Sequence, residues 1–137
     1  MDSRTRRIQY FYATVKDEPG AAYRFLTQLA SAEVNLLAFQ AIPMGPGVTQ
    51  LVLFPENVER LAHAAETAGI VLVGPHAAFA VQGTDRLGAL VDVHERLSAA
   101  RINVYASYGV TDGRGGYGYV FFVRPEDYER SAALLGV

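Results

Sequence analysis

Hydrophobic positions along this chain fall into short blocks whose spacing switches between two and about three and a half. Residues 8–15 are rich in β-branched and aromatic types and run into Asp17-Glu18-Pro19-Gly20, which predicts a strand closed by a turn. From Ala21 to Ala32 the apolar residues Ala22, Phe25, Leu26 and Leu29 recur at i, i+3, i+4 and i+7, one face of an amphipathic helix. Asn35 leads a second strand over 36–42, residues 43–47 make a turn by composition, and 48–54 is a third strand. Pro55 and Glu56 open a second helix with Val58, Leu61, Ala62 and Ala65 inward, ended by Gly69. Residues 70–73 read as a short apolar fourth strand.

The same series then starts again. Residues 78–82 predict a strand, and 87–100 a helix with Leu90, Val93 and Leu97 inward. Residues 103–110 and 117–123 form a hairpin, and 125–135 a last helix. A shift of 68 positions carries Asp17 onto Asp85, Gly20 onto Gly88, Leu29 onto Leu97, Asn35 onto Asn103 and Ala38 onto Ala106. A shift of 70 carries Pro55, Glu56 and Arg60 onto Pro125, Glu126 and Arg130. A fixed internal period means one supersecondary unit used twice. The order strand-helix-strand-strand-helix-strand is the ferredoxin-like pattern, an antiparallel sheet with both helices on one face.

The expected fold is therefore α+β. Two ferredoxin-like βαββαβ repeats, 1–74 and 75–137, join side by side into one antiparallel sheet with the helices on one face. The last strand of the second repeat is short or missing, which leaves 78–82 as an open sheet edge and favours a homodimer.

Composition removes several chemistries. The net charge is −2, with 12 basic and 14 acidic residues well mixed, so there is no basic field for nucleic acid. Arg4, Arg6 and Arg7 make the one positive cluster, and a frayed solvated tail is the simpler account of it. Cysteine is absent, which excludes disulfides, thiolate metal sites and cysteine nucleophiles. His63, His76 and His94 are scattered without partners at metal-ligand spacing, so no metal and no cofactor is expected. No apolar run reaches membrane-spanning length and no signal core opens the chain, which predicts a cytoplasmic protein with no membrane partner. No nucleophile has an obvious base, so an enzyme is not expected.

The Asp-x-Pro-Gly turn at 17–20, the helix of about a dozen residues after it and the Asn-led strand resemble an ACT domain, and their repetition extends the resemblance over nearly the whole chain. The second copy departs from the pattern: Asp85-Arg86-Leu87-Gly88 has no proline and gains an arginine. The resemblance implies a tandem regulatory module that binds a small ligand, an amino acid above all, near the first turn and the second strand of each repeat. Its partner would be a second copy or a separate enzyme. The rival reading is a regulatory subunit or interaction module for a metabolic enzyme that binds no ligand.

On that resemblance the candidate ligand residues are Asp17, Glu18, Pro19, Gly20, Asn35 and Leu36 in the first repeat. In the second they are Asp85, Arg86, Gly88, Asn103 and Val104. A zwitterion needs donors for its carboxylate and an acceptor for its ammonium. A helix start offers unpaired N–H groups, Gly20 and Gly88 allow close backbone approach, an Asp can accept from the ammonium, and an Asn can do both.

Each residue also has a structural reading. Asp17 and Asp85 serve equally as helix caps, Asn35 and Asn103 as left-handed turn residues, and Gly20 and Gly88 as packing glycines. Arg86 is a solvated surface residue or a carboxylate clamp. His94, at the position of Leu26, reads as a core or interface histidine. Tyr105, Tyr108, Tyr117 and Tyr119 cover a sheet face or form a stacking wall. The Gly113-Arg114-Gly115-Gly116 run lies between strands and reads as a hairpin turn, not a phosphate loop.

Overall fold

In the computed structural model, which describes residues 3–137, the elements follow the predicted order. They are β1 (Ser3–Lys16), α1 (Ala21–Ser31), β2 (Leu36–Pro43), β3 (Val48–Pro55), α2 (Val58–Ala68), β4 (Val73–Thr84), α3 (Val91–Ala99), β5 (Val104–Thr111), β6 (Gly116–Val123) and α4 (Pro125–Leu135). The fold is α+β with antiparallel strands hydrogen-bonded in the order β2-β3-β1-β4-β6-β5. The chain separates into two compact units: residues 9–76, and residues 77–137 together with 3–8.

In the unit 9–76, Phe11 and Ala13 of β1 and Leu51 and Leu53 of β3 face Phe25 and Leu29 of α1 and Leu61 and Ala64 of α2. β1 and β3 are in antiparallel register from Phe11↔Leu53 to Lys16↔Val48, and β2 pairs with the other side of β3. In the second unit, Phe79 and Val81 of β4 and Phe121 and Tyr119 of β6 pack on Val93 and Leu97 of α3 and Ala132 of α4. Phe11 and Phe79, Phe25 and Val93, Leu29 and Leu97, Leu51 and Tyr119, and Leu53 and Phe121 are each 68 positions apart. The two cores are built from the same positions. Each fully buried apolar side chain of this size contributes about 1.5–3 kcal/mol relative to exposure.

The repeated Pro-Glu-x-x-Glu-Arg segment has a mechanical reason. Arg60 Nη1 of α2 donates to the Glu33 carbonyl at 3.3 Å, and Arg130 Nη1 of α4 donates to the Ala100 carbonyl at 2.6 Å. Each arginine places a cation on the orphan carbonyls at the C-terminal end of the other helix of its unit. Asn57 caps α2 by accepting from the Arg60 N–H at 3.0 Å, so the helix starts after Asn57 and not at Pro55. Its inward stripe is Leu61, Ala64 and Ala65, with Ala62 exposed.

Four expectations are corrected. Arg4, Arg6 and Arg7 are not a frayed tail, since β1 starts at Ser3. The guanidinium of Arg7 binds both carboxylate oxygens of Glu129 on α4, at 2.8 and 3.0 Å, reaches the Val137 carbonyl at 3.3 Å, and lies 5.6 Å from the centre of the Tyr128 ring.

Of the strand predicted at 70–73 only Val73 is in a strand: β4 begins there, runs through Gly74-Pro75 and takes in 78–82. Residues 78–82 pair with β6 and neighbour β1, so they are not an edge, and the case for a homodimer drawn from that edge falls with it. The edge positions belong to β2 and β5.

The helix expected over 87–100 begins only at Val91. Residues 87–90 form turns in which Ala89 N–H donates to the Arg86 carbonyl and Val91 N–H to that of Gly88.

The left-handed residues are Glu33 and Arg101, both at φ 58°, and not Asn35 and Asn103. The Val34 and Ile102 N–H groups, just past them, reach back to the Leu29 and Leu97 carbonyls at 2.9 Å. That closure fixes the reversal two residues before each asparagine.

Two tests follow from this packing. Gly74 has φ 146°, and an added Cβ would meet the Tyr10 carbonyl oxygen and Phe11 Cδ2, both at 2.9 Å. Gly74→Ala is expected to lower stability by about 1–3 kcal/mol in urea unfolding. The second test concerns pH. The hydrogen bonds from Arg7 hold Glu129 below its ordinary value of 4.5. A depressed carboxylate contributes stability above its unfolded pKa and loses that contribution as pH falls through the folded value. The stability difference between wild type and Glu129→Gln is therefore expected at neutral pH and should vanish in acid below the ordinary carboxylate range.

Candidate functional site

β1 and β4 each end in the repeated turn. Asp17 N–H donates to the Gly47 carbonyl at 3.0 Å, and Asp85 N–H to the Gly115 carbonyl at 2.8 Å. Gly47 and Gly115 are themselves one repeat apart, each in the hairpin turn of its unit. So the aspartate backbone ties the strand end to the neighbouring hairpin in both units. Neither α1 nor α3 has a side-chain cap, which corrects the capping role expected for Asp17 and Asp85.

In the unit 9–76 the turn borders a cleft of about 660 Å³ between the first half of α1, the end of β1 and residues 69–73. Gly20 precedes α1 at φ 88°, a left-handed conformation that glycine adopts without strain. The bare Cα leaves room for Arg24, whose Nη1 would stand 3.0 Å from a Cβ at Gly20. Arg24 Nη2 is 3.3 Å from Glu18 Oε1, and both side chains are at least half exposed. Lys16, Glu18, Arg24, Gln28, Thr14 and Tyr12 give the cleft its polar wall. Two cations and one carboxylate thus converge on the N-terminal turn of a helix, whose own partial charge is positive.

Lys16 and Arg24 were missed as site residues in the sequence. The signal for Arg24 was its spacing: four residues after Gly20 on a helix, its side chain leans back over the preceding turn.

Asn35 is elsewhere. It follows the far end of α1, whose 11 residues span about 16 Å. There its Nδ2 donates to Glu56 Oε2 at 3.1 Å and its carbonyl accepts from the Glu56 N–H at 2.9 Å. Asn35 clips the start of β2 to the segment leading into α2. Leu36 packs against the core of its unit, as Val104 does in the other. The structure therefore brings Glu18 and Gly20 together with Arg24, and sets Asn35 apart from them within the unit.

In the second unit, Asp85, Arg86 and Gly88 border a cleft of about 490 Å³ against the ends of β5 and β6. Arg86 Nη2 lies 3.7 Å from Asp92 Oδ2, a loose and exposed pair. Tyr117 and Tyr119 line this cleft, while Asn103 lines a separate hollow with His94 and Arg101. His94 is half-buried and its Nε2 shares a 2.6 Å hydrogen bond with the Tyr119 hydroxyl.

The glycine run at 113–116 is a hairpin turn closed on itself. Asp112 Oδ1 accepts from the N–H groups of Arg114 at 2.6 Å and Gly116 at 3.0 Å. Those donors hold the Asp112 carboxyl below its ordinary value and are already used. Among the described residues no group of three or more His, Cys, Asp or Glu could hold a metal ion. None of the described helices is long and apolar enough to cross a membrane.

No protein-family profile matches the sequence, and no curated protein matches it. Solved structures do. Protein BT0572 from Bacteroides thetaiotaomicron superimposes with a TM-score of 0.80 at 15% identity, over 96% of this chain and 88% of that one. The ligand-free regulatory subunit of aspartate kinase from Thermus thermophilus gives 0.66 at 13% identity, over 99% and 95%. Aspartate kinase from Clostridium acetobutylicum gives 0.54 at 14% identity, over 97% of this chain and 33% of that one.

The likeness is one of fold. The Thermus thermophilus protein is a regulatory subunit, and the Clostridium acetobutylicum one is a kinase of which the match covers 33%.

Proposed function

We propose that this chain is a non-catalytic regulatory module of tandem ACT type that binds an amino acid and passes the signal to an enzyme or to a second copy of itself. The observation that carries the reading is the corner at 16–24. There a carboxylate (Glu18) and two cations (Lys16, Arg24) line one cleft beside a helix N-terminus. A zwitterion requires that set: cations and N–H donors for its carboxylate, and an acceptor for its ammonium. The fold shared with regulatory subunits of aspartate kinase supports a regulatory use. Ligand binding would act by favouring one of two pre-existing conformations, so the effect on a partner is bounded by the difference in ligand affinity between them.

Asp17, Pro19 and Gly20 shape the corner through their backbone, and Glu18 acts through its side chain. Asn35 and Asn103 would then be positioning residues for their strands and would not touch ligand bound within the same unit.

A thermal-shift and calorimetric panel of the common amino acids at millimolar concentration is expected to find at least one that stabilises the fold. Arg24→Gln should weaken that ligand at least tenfold, whereas Asn35→Ala should lower stability by about 0.5–1.5 kcal/mol with little change in affinity. A panel with no binder would remove the amino-acid reading and leave the ligand-free regulatory subunit.

A further inference from the structure

The two clefts border equivalent turns but different sides of them: one is lined by β1, α1 and residues of 69–73, the other by residues 85–91 and the β5–β6 hairpin. The one in the unit 9–76 presents Lys16, Glu18, Arg24 and Gln28. The one in the second unit presents Tyr117, Tyr119, Leu90, Val91 and Val110, with Arg86 as its cation.

Three features make the second cleft more than an irregular surface. First, its floor is opened by a missing side chain: a Cβ at Gly109 would stand 3.0 Å from Tyr119 Cδ1 and 3.1 Å from the Gly118 carbonyl oxygen. Gly109 thus puts no side chain over the Tyr119 ring, which is otherwise buried in the core of its unit and 6% exposed. Second, the Tyr119 ring is fixed, since it stacks on Phe121 at 5.8 Å and its hydroxyl is held by His94 at 2.6 Å. A wall already held in place loses little freedom when a ligand packs against it. Third, the rim is apolar and uncovered: Val91 is 58% exposed and Val110 74%. Apolar walls with a few convergent polar or charged groups, here Arg86 and Asp85, are the usual make-up of a small-molecule site of this volume.

We infer that this second cleft takes a small carboxylate carrying an aromatic or bulky apolar side chain. The carboxylate pairs with the Arg86 guanidinium and the apolar group lies against Tyr117 and the exposed rim of Val91 and Val110. The inference rests on the reading of the chain as a ligand-binding module and gives its two sites different ligands. The Arg86–Asp92 contact at 3.7 Å is long enough to be exchanged for a two-pronged bond to a ligand carboxylate. Leu51 and Thr49, the counterparts of Tyr119 and Tyr117, do not line the first cleft, whose aromatic members are Tyr12 and Phe25.

The test is a titration of the full chain with four probes: 3-phenylpropionate, L-phenylalanine, phenethylamine and L-aspartate. Binding would be followed by calorimetry on wild type, Arg86→Gln, Tyr117→Ala and Arg24→Gln. The expected result is binding of the two aromatic carboxylates, at least tenfold weaker in Arg86→Gln and in Tyr117→Ala, with 3-phenylpropionate, which lacks the ammonium, unchanged in Arg24→Gln. Circular dichroism melts of each variant separate loss of binding from loss of fold.

Phenethylamine binding as tightly as 3-phenylpropionate would overturn the role of Arg86. Aromatic binding lost in Arg24→Gln alone would overturn the assignment to this cleft. L-aspartate bound in an Arg24-dependent way with no aromatic binding would overturn this inference and leave the regulatory reading standing. No binding of any probe, together with an empty amino-acid panel, would overturn both.

Discussion

The open edge of a three-stranded antiparallel sheet needs a strand, and in this chain the requirement is met from a distance. Residues 77–137 supply three strands and two helices, and the compact unit they form includes residues 3–8 of β1. β1 is the neighbour of β4 in the strand order, and its arginine at position 7 is fastened to Glu129 on α4 by two hydrogen bonds. Unpaired backbone donors and acceptors on β4 would otherwise be left to water or to another chain. β1 and β4 are consequently long, 14 and 12 residues, and each contributes to both compact units.

That constraint sets where the candidate chemistry lies. Each long strand runs out at the repeated Asp-containing turn, where the aspartate N–H is tied to a hairpin glycine carbonyl. The turn then delivers the chain to a helix on the covered face of the sheet. A cleft opens beside each turn because the strand has ended and the helix has only begun. In the first unit the helix supplies Arg24, which folds back over Gly20. In the second, the helix starts late, at Val91, and the space is bounded by tyrosines of β6. The fold is duplicated, but the two clefts border different sides of the repeated turn and are lined by different positions.

Much of this was legible in the sequence. Helix spacing pointed to Phe25, Leu29, Leu61, Val93 and Leu97 as core positions, while Leu26 and Ala62 of the same predicted stripes are exposed. The hairpins and all four helices are where periodicity put them, within a turn at their ends. What the sequence hid was length. Three arginines in the first seven residues concealed the start of β1, since arginine can sit in a strand when its charge has a partner such as Glu129, 122 positions away. Gly74-Pro75 concealed the continuity of β4 for the opposite reason, that both residues normally break strands.

The repeated Pro-Glu-x-x-Glu-Arg segment was visible as a repeat, but its purpose was not. Arg60 and Arg130 meet carbonyls 27 and 30 positions upstream, a pairing that exists only after the helices have packed. The asparagines misled because sequence repetition marks a shared need without saying which. Asn35 joins a strand to a helix start through Glu56 and leaves the left-handed turn to Glu33.

The central claim is that ligand binds at the turns that end the two long strands. The most direct measurement is amide chemical-shift mapping of the isotope-labelled chain during titration with an amino acid that stabilises it. The account predicts that the largest shifts fall on residues 16–28 or on residues 85–91 and 109–119. Shifts confined to the far helix ends, around Asn35 and Asn103, would contradict it.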